Sequence, residues 1–216
     1  MTDTAPDGSP VPVYLALPAE PDLGRVRSVV RDGWSVLDLG AGVGRIANPL
    51  AADGHAVVAV DDSTAMLEHN HGAETVRADI WTLDLGRQFD AVLAMSHLVN
   101  DRVAGRRQQL LRVCRRHLRP GGVVLVTRYP PGWSPSASSN TAGPVQIELH
   151  DVRVLADGFA AEVTYALGER SWTQAFDGAV VDDDELAALA AQAGLEVQGA
   201  LDDDGAWVVL EPSTGA

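Results

Sequence analysis

Short apolar runs that do not alternate recur through the first 130 residues, with amphipathic stretches between them. Val36 to Gly40, residues 56–60, Ala91 to Met95 and Val123 to Thr127 are such runs, and Val76 to Ile80 is a shorter one. Uniformly apolar runs separated by helical spacing predict strands buried on both faces of a parallel sheet. The helical spacing shows in Leu23, Val26, Val29 and Val30, near 44–53, near 63–70 with Ser63 as N-cap, and across about 103–118. Pro120-Gly121-Gly122 turns the chain into the last of these runs. After residue 130 the pattern changes. Residues 131–144 read as a loop rich in Pro, Ser and Gly, and period-two segments follow at 145–154, 159–167 and 171–176. Asp157-Gly158 and Gly168-Glu169 supply turns, so 145–177 is expected to form a three-stranded antiparallel insertion. A helix from about Asp184 to Gln192, closed by Gly194, precedes two final strands at Leu195–Gly199 and Trp207–Leu210. Residues 1–12, with three prolines, read as a mobile arm.

Length and charge narrow the class. At 216 residues the chain suits one domain with a sheet covered on both faces. Acidic residues number 30 against 16 basic ones, all of them Arg, for a formal charge of −14. Such a surface disfavours nucleic acid and anionic lipid as partners. Seven arginines between Arg102 and Arg119 read as the solvated face of an amphipathic helix. One cysteine excludes an internal disulfide, no apolar run approaches a membrane span, and the N-terminus lacks signal-peptide character. A cytoplasmic protein is expected.

The richest chemistry lies in Asp38-Leu39-Gly40-Ala41-Gly42-Val43-Gly44-Arg45. Glycines at alternate positions after a strand let the backbone turn sharply and let a ligand lie against the main chain. A second strand ends in Asp61-Asp62, where a carboxylate can accept hydrogen bonds from both ribose hydroxyls. Together these read as a nucleoside pocket. The dinucleotide fingerprint G-x-G-x-x-G/A fails, because Arg45 occupies its last position. The pattern present, D-x-G-x-G-x-G, resembles the first motif of the class I S-adenosylmethionine (SAM) methyltransferases, and the element order resembles that family over roughly 34–128 and 183–210.

The resemblance implies a Rossmann-like α/β fold. Its seven-stranded, mostly parallel sheet has helices on both faces, the last strand runs antiparallel, and the insertion covers the substrate between the fifth and sixth strands. It implies SAM as cofactor and carries roles onto matching positions. Asp38 would orient the loop or hold the methionine amino group; Gly40, Ala41, Gly42 and Gly44 would lie against methionine and ribose; Asp61, with Asp62 beside it, would bind the ribose hydroxyls. Asp79 would accept from the adenine amino group, Ile80 would pack on the ring, and the Ser96 carbonyl would meet the methionine amine. Tyr14 would fold over the cofactor.

On the acceptor side, His97 is the candidate general base, since imidazole titrates near working pH. Asn100, Arg128 and Tyr129 lie at the same sheet edge as candidate substrate contacts, Arg128 for an acidic group. The Asn/Asp-Pro-Pro-aromatic motif of DNA amino methylation is absent near Ala94–His97, and no Pro-Cys pair exists for cytosine carbon methylation. The Asp182–Asp184 and Asp202–Asp204 runs read as caps and turns, and no metal site is expected. The expectation is methyl transfer to an oxygen or nitrogen of a small molecule, by a monomer or homodimer. The alternatives are a non-methylating SAM reaction, such as ring closure or rearrangement, and a non-catalytic SAM-binding protein.

Overall fold

The computed structural model describes residues 3–213. The chain opens with helices α1 (Val11–Ala16) and α2 (Asp22–Val29). Strands and helices then alternate as β1 (Ser35–Leu39), α3 (Ala47–Ala52), β2 (Ala56–Asp61), α4 (Thr64–Leu67), β3 (Glu74–Arg77), β4 (Phe89–Ala94), a 3-10 turn (Leu98–Asn100), α5 (Arg106–Arg116) and β5 (Leu118–Thr127). Four strands follow: β6 (Ser138–Ala142), β7 (Val145–Leu155), β8 (Gly158–Leu167) and β9 (Arg170–Gly178). The chain returns to the main sheet through α6 (Asp183–Gln192), β10 (Leu195–Ala200) and β11 (Trp207–Pro212).

The main sheet has seven strands in the order β10-β11-β5-β4-β1-β2-β3. β1 to β5 run parallel to one another, and β11 pairs antiparallel with both β5 and β10. The non-alternating runs are explained by burial on both faces. Leu37, Leu39, Val58, Val60, Val92 and Val124 enter one core with α5 and α6, while Val36, Val57, Ala59, Ala91, Leu93 and Leu125 enter another with α2 and α3. Strand order reverses beside β1, whose neighbours are β2 on one side and β4 on the other. Open α/β sheets bind ligands at the carboxyl ends of strands flanking such a reversal.

The insertion is larger than the periodicity suggested. It is a separate four-stranded antiparallel sheet, β6-β7-β8-β9, and residues 138–142 form a strand where a loop was expected. Ser138-Ser139-Asn140-Thr141-Ala142 has no apolar alternation; its pairing with β7, not its own side chains, makes it a strand.

The N-terminal segment also departs from expectation. Residues 3–10, read as part of a mobile arm, fold into a turn in which Val11 N donates to Asp3 O, Ala5 N to Ser9 O, and Gly8 N to Ala5 O. Gln174 Nε2 of β9 donates to Asp7 O (3.1 Å), and Arg170 pairs with Asp3. Met1 and Thr2 lie outside the described residues. The expected solvated arginine face is also largely paired: Arg102, Arg106, Arg107, Arg116 and Arg119 all sit in ion pairs. Among the described residues no helix is long and apolar enough to cross a membrane.

Candidate active site

A cleft of about 530 Å³ opens at the carboxyl ends of β1, β2 and β4. Tyr14, Asp38, Gly40, Ala41, Gly42, Asp61, Asp62, Asp79, Ile80 and Ser96 all line it. Ten of the positions read from the sequence therefore share one space.

The loop after β1 is shaped by positive φ at Gly40 (+69°), Gly42 (+55°) and Gly44 (+79°). Gly40 N and Ala41 N donate to Val60 O (2.8 and 3.0 Å), which ties the loop to the end of β2. A Cβ on Gly42 would meet no protein atom within 4 Å, so only a bare backbone faces the cleft there. Gly44 differs from its expected role. Its hydrogen side faces Asn70 and Asn48, whose Oδ1 atoms would lie 2.5 and 2.7 Å from an added Cβ. These two asparagines buttress the loop from behind: Asn70 Nδ2 donates to Gly42 O (2.8 Å), and Asn48 Nδ2 donates to His69 O (3.0 Å). Neither was legible in the sequence, since an isolated Asn in a helix or turn carries no motif.

Asp61 is fixed through both oxygens. Gly42 N donates to Oδ2 and Ser63 N to Oδ1, each at 2.9 Å, which leaves each oxygen a further lone pair for a diol. Partial burial raises its pKa, and those two backbone donors oppose the rise. Asp38 is only 2% exposed, and among the described residues nothing donates a hydrogen bond to its carboxyl group. Burial pushes its pKa up to about 7, with Arg45 pulling the other way and Asp61 adding to the rise. A buried acid without a partner on the rim of a cleft fits a ligand ammonium group. At the far end Asp79 accepts from Trp81 N through Oδ1 (2.8 Å), and Ile80 is buried beside it. Arg106 lies 5.1 Å above the Trp81 ring, and its guanidinium is paired with Asp101.

The acceptor-side candidates separate into two kinds. Ser96 and His97 follow β4 with φ of +56° and +60°, two non-glycine residues in succession in the left-handed region. Backbone strain of this sort persists where surrounding structure enforces it and clusters at functional sites. His97 is open to solvent, but protein surrounds its ring closely enough that desolvation lowers its pKa. Its ring stacks on Tyr129 (4.5 Å between centroids, 8° between planes). Tyr129 stacks in turn on Trp133, and Phe159 meets both rings edge-on, with Phe176 behind it. Burial pushes the Tyr129 phenol up to about 12. This aromatic stack carries the sheet edge across to the insertion. Trp133, Phe159 and Phe176 were missed because they lie in a loop and two separate strands that only the fold brings together.

Asn100 and Arg128 are corrections. Asn100 is 2% exposed; its Nδ2 donates to Ala179 O (2.6 Å) and its Oδ1 accepts from Tyr129 N (3.2 Å). Arg128, also 2% exposed, donates from Nε to Gly205 O and from Nη1 to Val181 O (3.0 Å each), and pairs with Asp183. Both side chains are committed to holding the insertion's exit and the start of α6. Three of the five Arg128 N–H donors and one of the two on Asn100 are engaged inside the protein, and neither side chain lines the cleft. Away from the cleft, His150, Asp151 and Glu162 place potential ligand atoms within 4.8 Å of one another on the insertion. His150 Nε2 is already engaged by Thr164 Oγ1 (2.8 Å).

Comparison with known proteins agrees with this architecture. Residues 36–122 match the family model described as a methyltransferase domain. Among solved structures, the CcbJ methyltransferase from Streptomyces caelestis superposes with a TM-score of 0.79 at 20% identity, covering 99% of this chain and 100% of that one. DesVI from Streptomyces venezuelae gives 0.72 at 23% identity, with 90% of each chain covered. The sugar N-methyltransferase KedS8 from Streptoalloteichus sp. ATCC 53650 gives 0.70 at 22%, covering 92% of this chain and 87% of that one. At these identities the likeness is one of fold. No curated protein sequence matches the chain.

Proposed function

We propose that this chain, a SAM-dependent methyltransferase of the class I fold, transfers the methyl group to a nitrogen or oxygen of a small-molecule acceptor, with nitrogen the better supported. The observation that carries the reading is the convergence of Asp38, the Gly40–Gly42 turn, Asp61 and Asp79 on one cleft that has Ser96 on its rim, next in sequence to His97. When bound, SAM supplies a methyl group already activated by a positive sulfur. The protein's part is then mainly alignment and the exclusion of water.

In this reading Asp38 and the Ser96 carbonyl take the ammonium group, and Asp61 takes the ribose diol with Asp62 beside it. Asp79 and Ile80 receive the adenine, while Tyr14 covers the cofactor. Gly40, Ala41 and Gly42 present bare or nearly bare backbone to it, and Gly44 serves indirectly by admitting Asn48 and Asn70 behind the loop. His97 takes the proton that the acceptor loses. A lowered pKa keeps its imidazole neutral at pH 7, the state a base requires. Tyr129 holds that ring flat against the stack. The sugar N-methyltransferase KedS8 shares this fold, which supports an amine as acceptor.

The test is incubation with SAM and a panel of small amines and their hydroxyl counterparts, read by mass spectrometry. S-adenosylhomocysteine formed together with a methylated amine is the expected result. Methylthioadenosine would instead indicate ring closure, and turnover of hydroxyl compounds alone would move the acceptor to oxygen.

A further inference from the structure

Charge in the cleft is one-sided. Asp7, Asp38, Asp61, Asp62 and Asp79 line it, together with two arginines that are already neutralised: Arg45 pairs with Asp22 at 2.8 Å and Arg106 with Asp101 at 3.2 Å. The reading above gives four of these carboxylates a place on the amine, ribose or adenine. Asp7 has none.

Asp7 comes from the N-terminal turn, and its carboxylate is aimed by its own neighbours. Ser9 N donates to Oδ1 (2.9 Å) and Ser9 Oγ to Oδ2 (2.8 Å). Among the described residues no arginine or histidine lies within ion-pair distance of it. The turn itself is held over the cleft by Gln174 and by the Arg170–Asp3 pair on β9. Asp7 is close enough to Asp61 and to Tyr165 for its charge to act on both. Asp38, buried and lining the same cleft, is already given to the ammonium group, which leaves Asp7 as the carboxylate without a role.

SAM and its product differ by one charge, because the sulfonium becomes a neutral thioether when the methyl leaves. The ammonium and carboxylate ends are the same in both. A carboxylate without a counter-ion therefore favours SAM over S-adenosylhomocysteine, through a Coulomb interaction that acts over several ångströms in a partly solvated cleft. From this we infer that Asp7 is a specificity-determining residue: it selects the sulfonium cofactor over the spent one and thereby eases product release. The inference rests on SAM occupying this cleft.

Calorimetric titration of the full chain with SAM and with S-adenosylhomocysteine tests it, on the wild type, Asp7→Asn and Gln174→Ala. Asparagine keeps the acceptor for Ser9 N, and its Nδ2 can donate to Ser9 Oγ in place of the present Oγ-to-Oδ2 bond, so the charge is removed while both contacts are retained. Asp7→Asn is expected to weaken SAM about fivefold and to leave the product within twofold, and raised salt should shrink the wild-type preference in the same direction. Gln174→Ala, which loosens the turn that carries Asp7 but keeps its charge, should reduce the SAM preference less than Asp7→Asn does. Equal weakening of both ligands by Asp7→Asn, or no change in either, would overturn the inference while leaving the SAM reading intact. Failure of the folded wild type to bind either ligand would overturn both.

Discussion

Residues 38–106 supply most of the cleft's lining and residues 128–178 supply none of it, and the two regions are built by different means. In the first region the cleft is walled by backbone and by carboxylates at strand ends, most of them set within short stretches of chain: Asp38 to Gly44, Asp61 to Ser63, Asp79 to Trp81. In the second region contacts come from side chains far apart in sequence. The stack His97–Tyr129–Trp133–Phe159 joins a strand end, a loop and the insertion. A glycine turn and carboxylates at strand ends can be read from local pattern. An aromatic stack of this kind is assembled by packing, and packing leaves little local trace.

The contrast between the two regions is felt most strongly at Arg128. If its role is to clamp Gly205, Val181 and Asp183, Arg128→Ala should cost about 3 kcal/mol of stability by stranding buried carbonyls. Denaturant unfolding would measure this, and SAM affinity of the folded fraction should change less than threefold. Unchanged stability with a raised acceptor KM would return Arg128 to the substrate side. The next effect is on turnover. His97→Ala should lower kcat about 100-fold on whichever acceptor is used, with calorimetric SAM affinity unchanged. A loss of SAM affinity would instead place His97 in the cofactor half.

The smallest effect is one of pH and belongs to Asp38. Its folded pKa of about 7 lies above the ordinary 3.8, so in the free protein it is half protonated near neutrality. A bound ammonium favours the ionised form, so binding must expel that proton below pH 7. SAM affinity should therefore fall about tenfold per unit as pH drops below 7 and level off above it. Asp38→Asn should bind more weakly at pH 8 and show a flat profile. A wild-type profile that is flat from pH 5.5 to 8 would remove Asp38 from the amine site.

The parallel core and the glycine turn at its edge were legible because their residues obey local rules. Short β-branched runs such as Val57-Val58-Ala59-Val60 favour strands buried on both faces, and the spacing of Gly40, Gly42 and Gly44 has few uses. Arg128 and Asn100 were misread for a physical reason. Their place after a strand was correct, but their partners Ala179, Val181, Asp183 and Gly205 lie 53 to 79 residues further on, and nothing in the local pattern reveals that pairing. β6 escaped notice because a polar edge strand is made by its neighbour. The turn at residues 3–10 escaped because prolines and glycine suggest flexibility, whereas hydrogen bonds to Asp3, Ala5, Asp7 and Ser9 decide the outcome.

We propose that this cleft holds SAM through Asp61 and the glycine turn. Calorimetric titration with SAM, S-adenosylhomocysteine and NADH, on wild type and Asp61→Ala, tests it most directly. The account predicts micromolar binding of the first two, about −8 kcal/mol, no binding of NADH, and about a 100-fold loss in the mutant as the diol contacts disappear. SAM affinity unchanged by Asp61→Ala in a folded protein would contradict it.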